Sequence, residues 1–478
     1  MAQPNIVLIV SDQHRADWLG CAGHPAVRTP HLDGLTRDGV WFTHTYCNAP
    51  LCVPSRMSML AGRHPCHTGV YFNDTSLPSD MPTFAHALGL AGYETVLCGR
   101  MHFVGIDQRH GYQRRLVGDI TPSYPGGPRT AYGHWEGTQA QGPISIERVG
   151  PGDSPVLRYD EAVTRGGEAF LAERAGQSHD RPFFLTVGFY GPHPPFVCPP
   201  EYYEAALAAL HDAPPLPRDP APRHPWLDDW FVRLRAEGFT DEQILVARAN
   251  YAGMVNRLDE LVGRILTAAR SLSGDTQVIY LSDHGEMAGD RGMFWKQSYY
   301  EGAMRVPLIW AALAGGGIAR GRRVDAPVSL VDLASTLAGQ AGAPPLPATD
   351  GADLSPLLRA DLSDNPLASW TERPVFAEGV TAGEPVRLVR QGRYKLIYYH
   401  GYSMPQLFDL AEDPYEQHDL CQSVEHTPVR EHLLQLALAD WNPEAIKQTQ
   451  TARQADARYI AQWGRTVGMG TLDLWEQG

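Results

Sequence analysis

The sequence predicts an α/β protein: a large, mostly parallel sheet sandwiched by helices, followed by a smaller C-terminal subdomain on an antiparallel sheet. Three observations carry this. First, residues 5–10 (N-I-V-L-I-V), 182–189 (P-F-F-L-T-V-G-F) and 276–282 (T-Q-V-I-Y-L-S) are near-continuous apolar runs. Such runs mark strands buried on both faces, as in parallel sheets. Second, helical patterns fall between them. T-P-H-L-D-G-L-T-R-D-G follows the first run, M-P-T-F-A-H-A-L-G-L-A-G comes later, and residues 249–270 repeat apolar positions with a helical period before the run at 276. Strands alternating with helices imply parallel pairing with helices on both faces. Third, the pattern changes beyond residue 370, where V-R-L-V-R-Q-G-R-Y-K-L-I-Y-Y-H reads as a hairpin around Gln391 and Gly392. The expected division is a main domain over 1–370 and a subdomain over 371–478 that ends in a helical tail.

A chain of 478 residues exceeds one small core, which fits a large domain with a smaller partner. Forty basic against 54 acidic side chains leave a net charge of −14, which argues against nucleic acid and anionic membranes as partners. The N-terminus has no basic leader, and its apolar run breaks at Ser11 and Asp12, so neither a signal peptide nor a membrane anchor is expected. Seven cysteines without regular spacing fit a reducing cytoplasm better than a disulfide framework. Stretches rich in Pro and Gly at 118–156 and in Pro at 213–226 read as surface insertions.

Polar residues cluster just past the carboxyl ends of the expected strands, where open α/β sheets hold their ligands. Asp12 and Gln13 follow the first run, His193 another, and Asp283 and His284 a third. Carboxylate, amide and imidazole together suit Ca²⁺, Mg²⁺ or Mn²⁺, and the lack of clustered thiolates or histidines argues against structural zinc. Taken singly, each aspartate equally suits a helix cap. The stretch P-L-C-V-P-S-R-M-S-M-L-A-G-R-H-P, Pro50 to Pro65, reads as a short helix with Pro54 near its first position and Gly62 as its C-cap. Cys52 then lies near a positive helix end, which favours anions and lowers a thiol's pKa. A buried cysteine beside a loop is the plain alternative.

The stretch C-V-P-S-R followed by M-S-M-L-A-G-R resembles the C-x-P-S-R signature of type I sulfatases, within the alkaline phosphatase superfamily. The N-terminal strand with Asp-Gln, then G-R-M-H-F, G-P-H-P-P-F and S-D-H-G-E-M-A-G-D-R-G-M-F-W-K appear in the family's order over nearly the whole chain. G-R-M-H-F-V-G resembles choline sulfatases, and the Asp-Gln and Asp-His pairs also resemble phosphonate monoester hydrolases. The resemblance implies that a maturation enzyme oxidises Cys52 to formylglycine, whose hydrate attacks the sulfur of a small-molecule sulfate ester. A second hydroxyl then lets the hemiacetal collapse and release sulfate. It further implies one divalent ion, Ca²⁺ or Mn²⁺, on Asp12, Gln13, Asp283, His284 and an oxygen of modified Cys52. Arg56 would hold the aldehyde hydrate and His102 take the proton during collapse. Lys296 and His193 would bind the anion and assist the leaving oxygen, and Asn73 would contact sulfate.

One position departs from the pattern. The family motif has G-K-x-H where this chain has Arg100, which keeps the charge for binding but cannot give up a proton. A homo-oligomer using the C-terminal tail is implied as well. The alternative within the scaffold is a phosphonate monoester or phosphodiester hydrolase. An alternative of another class, a metal- and anion-binding protein with unconverted cysteine, leaves a costly set of converging polar groups without purpose. For a choline ester, Tyr132, Trp135, Tyr299, Tyr300, Trp463 and Trp475 are cage candidates, but aromatics at these spacings are commonly core.

Overall fold

Strand β1 (Asn5–Asp12) shows how the continuous apolar run works. Successive side chains leave a strand on opposite faces. Ile6, Leu8 and Val10 enter one core cluster, while Val7 and Ile9 enter the other. All five are fully buried, which stabilises the fold by about 1.5–3 kcal/mol for each side chain. A polar residue at any of them would open one of the two cores.

The computed structural model describes residues 3–121, 142–147, 149–176, 181–211, 223–315, 317–359, 367–468 and Trp475. After β1 come β2 (Gly39–Tyr46), β3 (Glu94–Gly99), β4 (Arg114–Arg115), β5 (Phe183–Pro192), β6 (Thr276–Ser282), β7 (Arg305–Ala314), β8 (Arg322–Val324) and β9 (Val328–Ser329). They form a nine-stranded sheet in the order β4-β3-β5-β1-β6-β7-β2-β8, with β9 beside β2. Every pairing is parallel except those of β7, which runs antiparallel to β6 and β2. The large, mostly parallel α/β sheet is therefore present. Helix Asp241–Arg270 enters the first core cluster through residues such as Tyr251 and Val255 and the second through Leu258 to Ala269, and it starts eight residues before the expected 249. Thr240 and Gln243 close a capping box at its start, a signal present in the sequence as T-D-E-Q.

A second, antiparallel sheet follows in the order β10 (Val375–Thr381), β11 (Glu384–Gln391), β12 (Tyr394–Tyr399) and β13 (Gln406–Asp409). The expected hairpin joins β11 to β12, but its two-residue turn is Gly392 and Arg393, since Gln391 pairs with Tyr394. Gly392 has φ 56°, the positive value that the first turn residue of a primed hairpin needs. Helix Thr427–Leu438 covers one face of this sheet, with Leu433 and Ala437 against Val389, Leu396 and Leu407. Buried Lys395 on β12 ties the two sheets together, its Nζ 2.9 Å from Glu301 and 2.7 Å from Glu416. Tyr299 and Tyr300 are core residues, whereas Tyr132 and Trp135 lie outside the described residues, as do most of the first insertion and 213–222 of the second. Among the described residues no helix is long and apolar enough to cross a membrane.

Candidate active site

Strands β3, β5, β1 and β6 are consecutive neighbours and run parallel, so their carboxyl ends arrive side by side. Each delivers one of the polar groups singled out above: Arg100 and His102 past β3, His193 past β5, Asp12 and Gln13 at the end of β1, and Asp283 and His284 past β6. All are at least nine-tenths buried. Register within the sheet, rather than proximity in sequence, makes the site.

The cysteine motif enters from a buried helix, Cys52–Ala61. Cys52 is its first residue, so Pro54 is the third and not the first. The consequence is the same, because the first intrahelical bond runs from Ser55 N–H to the Leu51 carbonyl and Pro54 lacks only a donor that would have no helical partner. Gly62 closes the helix at φ 66°, the left-handed C-cap expected. Asn73 is exposed and its Oδ1 accepts from Val53 N–H at 3.0 Å, so its side chain caps this helix from outside. Ser55 Oγ donates to the Asp283 carbonyl at 2.5 Å and ties the helix to the end of β6.

Four ligating atoms face one point. The donor atoms of Asp12, Cys52, Asp283 and His284 all lie within 4.8 Å of one another. His284 Nε2 is 3.2 Å from Cys52 Sγ, 3.6 Å from Asp12 Oδ1 and 3.7 Å from Asp283 Oδ1. Donors about 2.3–2.6 Å from a shared ion at right angles stand roughly 3.3–3.7 Å apart, so this spacing fits an oxygen-rich divalent site. His284 Nδ1 donates to the Gly285 carbonyl at 3.0 Å, which leaves the Nε2 lone pair for a ligand. Burial, opposed by Asp283, lowers the His284 pKa and keeps the ring neutral. Gln13 joins the rim, its Oε1 accepting from Lys296 Nζ at 2.7 Å and its Nε2 donating to Glu286.

Three cations surround the two carboxylates. Arg56 Nε bonds Asp283 Oδ2 at 2.7 Å and its Nη2 reaches Asp12 Oδ2 at 3.3 Å. Arg100 Nε bonds the same Asp12 oxygen at 2.7 Å. Lys296 Nζ lies 3.1 Å from Cys52 Sγ. Burial would raise the Asp12 pKa, but Arg100, His193, Arg56 and Lys296 hold its carboxyl well below the usual range. The backbone is strained here: Gln13, His102, Trp295 and Gln297 have φ of 70°, 59°, 66° and 62°, the last two flanking Lys296. Left-handed conformations of such residues cost roughly 1–3 kcal/mol each and concentrate at working sites.

The two histidines differ in tautomer. Arg100 Nη2 donates to His102 Nδ1 at 2.7 Å, so the neutral His102 ring carries its hydrogen on Nε2. That arrangement does not suit the proton-accepting role which the resemblance implies for His102. His193 Nδ1 instead donates to the Pro194 carbonyl at 2.7 Å, leaving a lone pair on Nε2, and the ring also bonds the Cys52 side chain. Burial first, then Lys296, lowers its pKa. Arg100 spends its remaining groups on Asp119 at 3.2 Å and Thr121 at 2.6 Å, while its guanidinium stacks 4.6 Å above Tyr190. A lysine has no planar fork to make these bonds together. We expect Arg100→Lys to fold and to lose kcat/KM by on the order of tenfold to a hundredfold, the equivalent of one charged hydrogen bond. Steady-state kinetics with circular dichroism measure this, and unchanged kcat/KM would show that the fork is dispensable.

Sequence reading missed Glu286 and Asp119. Glu286 Oε1 accepts from Ala288 and Trp295 N–H at 2.9 and 2.5 Å, folding the loop that carries Lys296. Its place two residues after His284 was the available signal. Asp119 accepts from Arg100 and, at 2.9 Å, from His102 N–H, and nothing in its local sequence announces this.

Comparison with known proteins places these features in context. The sulfatase family profile matches residues 4–343, and a profile described as N-sulphoglucosamine sulphohydrolase, C-terminal, matches residues 289–441. The chain is 32% identical to a choline-sulfatase of Rhizobium meliloti over 95% of its own length and 90% of the relative's. It is 28% identical to arylsulfatase K of Xenopus laevis, covering 86% and 78% respectively. The solved phosphonate monoester hydrolase of Agrobacterium radiobacter superposes with TM-score 0.71 and 25% identity, over 91% of this chain and 95% of that one.

Proposed function

The chain belongs to the sulfatase family of sulfuric ester hydrolases, and from that premise we propose that it cleaves aryl or alkyl sulfate monoesters through a formylglycine made from Cys52 and one divalent ion, Ca²⁺ or Mn²⁺. The observation that carries this reading is the position of Cys52. Its Sγ stands among Asp12, Asp283 and His284, at the start of a buried helix, with Lys296 3.1 Å away. Conversion of Cys52 supplies a hydrated aldehyde, with one hydroxyl to attack sulfur and a second through which sulfate is released. When bound, the ion supplies positive charge against the nucleophile and the transferring anion.

The remaining work falls to the chain. Asp12, Asp283 and His284 orient the reacting residue, and Gln13 completes the rim. Arg56 holds both carboxylates in place from the inside of the helix. Lys296 donates to the leaving oxygen, with Gln13 Oε1 aiming its ammonium. His193, neutral and bonded to the side chain of residue 52, takes the proton that the resemblance assigns to His102, and His102 donates through Nε2. Arg100 acts by positioning Asp12 and His102. This arrangement calls for a maturation enzyme as partner. The unpaired state of all seven cysteines supports a cytoplasmic setting, and the exposed Tyr459, Ile460, Trp463 and Val467 on the terminal helix support a homo-oligomer. The presence of two separate sheets supports a division into 1–370 and 371–478.

A second reading, a phosphonate monoester or phosphodiester hydrolase, draws support from the Agrobacterium structure and the Asp-Gln and Asp-His pairs. Both readings share a charge argument. One ion with Arg56, Arg100 and Lys296 suits monoanions, since a sulfuryl transition state carries less negative charge than that of a phosphate monoester. On one matured preparation, kcat/KM should be highest for an aryl sulfate and lowest for the dianionic phosphate monoester. A phosphonate far ahead of sulfate would establish the second reading, and a phosphate monoester ahead of all would overturn both.

A further inference from the structure

Strand β5 outruns its neighbour β3. Their pairing ends at Gly99 opposite Gly188, where Arg100 N–H takes the Gly188 carbonyl, and the register of β5 on β1 breaks between Val10 and Asp12. Two backbone donors beyond that point, Tyr190 and Gly191, are taken by one side chain from helix Pro155–Ala175. Asp160 Oδ1 accepts from Tyr190 N–H at 2.8 Å, and Oδ2 accepts from Gly191 N–H at 2.9 Å. Asp160 is 4% exposed, and among the described residues it makes no ion pair. Burial pushes its carboxyl up to about 7, although the two N–H bonds and Arg100 pull the other way. An unpaired buried carboxyl is an expensive way to satisfy two amides.

What those amides carry explains the expense. The Tyr190 ring lies 4.6 Å from the Arg100 guanidinium and also meets the His193 ring edge-on, with centroids 4.8 Å apart. Tyr190 thus touches both the group that grips Asp12 and His102 and the histidine beside Cys52. The preceding helix residue braces a second segment: Tyr159 O–H donates to the Gly118 carbonyl at 2.9 Å, next to Asp119, which holds Arg100 and His102. Two adjacent helix residues therefore hold two segments that touch the site.

We infer that Asp160 is a positioning residue for the reaction, setting the Tyr190 ring against Arg100 and His193 by holding the N–H groups of Tyr190 and Gly191. The inference rests on the hydrolase reading above for its readout. Asp160→Asn has nearly the same shape but only one acceptor for two donors, so the end of β5 moves while the fold persists. A shift of about 1 Å at a reacting group costs on the order of a hundredfold in rate.

The test uses the full-length matured enzyme and the ester that the wild type turns over best. Asp160→Asn should lower kcat by about tenfold to a hundredfold. KM should stay within about threefold, with metal content and the aldehyde at residue 52 unchanged. Tyr190→Ala removes the ring through which the effect passes. In that background Asp160→Asn should therefore add little, giving a large coupling in the double-mutant cycle. A purely structural carboxylate would instead lower the melting temperature and leave kcat intact. That outcome, or additive effects in the cycle, would overturn the inference. Should Asp160→Asn fail to fold, Asp160→Ser supplies a shorter acceptor for the same cycle. Failure of the hydrolase reading shows separately, as a wild type inert toward every ester tested.

Discussion

Cys52→Ala should fold and lose turnover by on the order of 10⁴-fold or more, as removal of a covalent nucleophile does. The residue is 1% exposed, and its loss deletes one sulfur atom from a helix that is buried along its whole length. Such a small cavity leaves the carboxylates, Arg56 and His284 in place. Peptide mass analysis of the parent should show the aldehyde at residue 52, and assays of both chains on the preferred ester give the ratio. A fully active parent carrying only thiol would remove formylglycine from the mechanism.

Asp283→Asn should lose metal and activity together, each by roughly a hundredfold or more, since it alters a ligand that outer partners alone tune by 10–100-fold. The amide keeps the shape of the carboxylate while removing one of the two charges that face Cys52. Its own partners suffer as well, because Arg56 Nε sits 2.7 Å from Oδ2 and the Gln13 and His284 N–H groups lie 3.0 and 2.9 Å from Oδ1. Breaking one arm of a buried ion pair costs about 3–5 kcal/mol when no partner remains. Arg56 keeps Asp12 at 3.3 Å, so the chain should still fold. Elemental analysis beside kinetics decides the matter, and full occupancy with unchanged kcat would take Asp283 out of the metal site.

Much of this was readable in the residues. The runs at 5–10, 182–189 and 276–282 became central strands because only a strand buried on both faces tolerates apolar residues at every position. Their polar successors became the site because parallel neighbours end together. Roles that depend on a distant partner were not readable. Asn73 accepts from the Val53 N–H beside Cys52, and Arg100 is bonded to Asp12 and Asp119. Asp119 and Asp160 gain their importance only from the loops folded against them. Tyr299 and Tyr300 sit in the core, where sequence spacing could not distinguish lining from filling.

The place of β1 in the sheet also sets a timetable. Strand β1 is central and is synthesised before both of its partners, β5 and β6, which lie at 183–192 and 276–282. At about 5–20 residues per second, the roughly 270 residues from β1 to β6 take about 14–54 s to synthesise. Until β5 is made both edges of this apolar strand are open, and one stays open until β6 follows, a state prone to wrong pairing that gives chaperones reason to engage the nascent chain. The same wait has a use. Helix Cys52–Ala61 is already made but has neither Asp283 nor Lys296 above it. On the formylglycine reading proposed above, a thiol sealed in the finished fold would still be open to a maturation enzyme at this stage, and closure of β6 on β1 would end that opportunity.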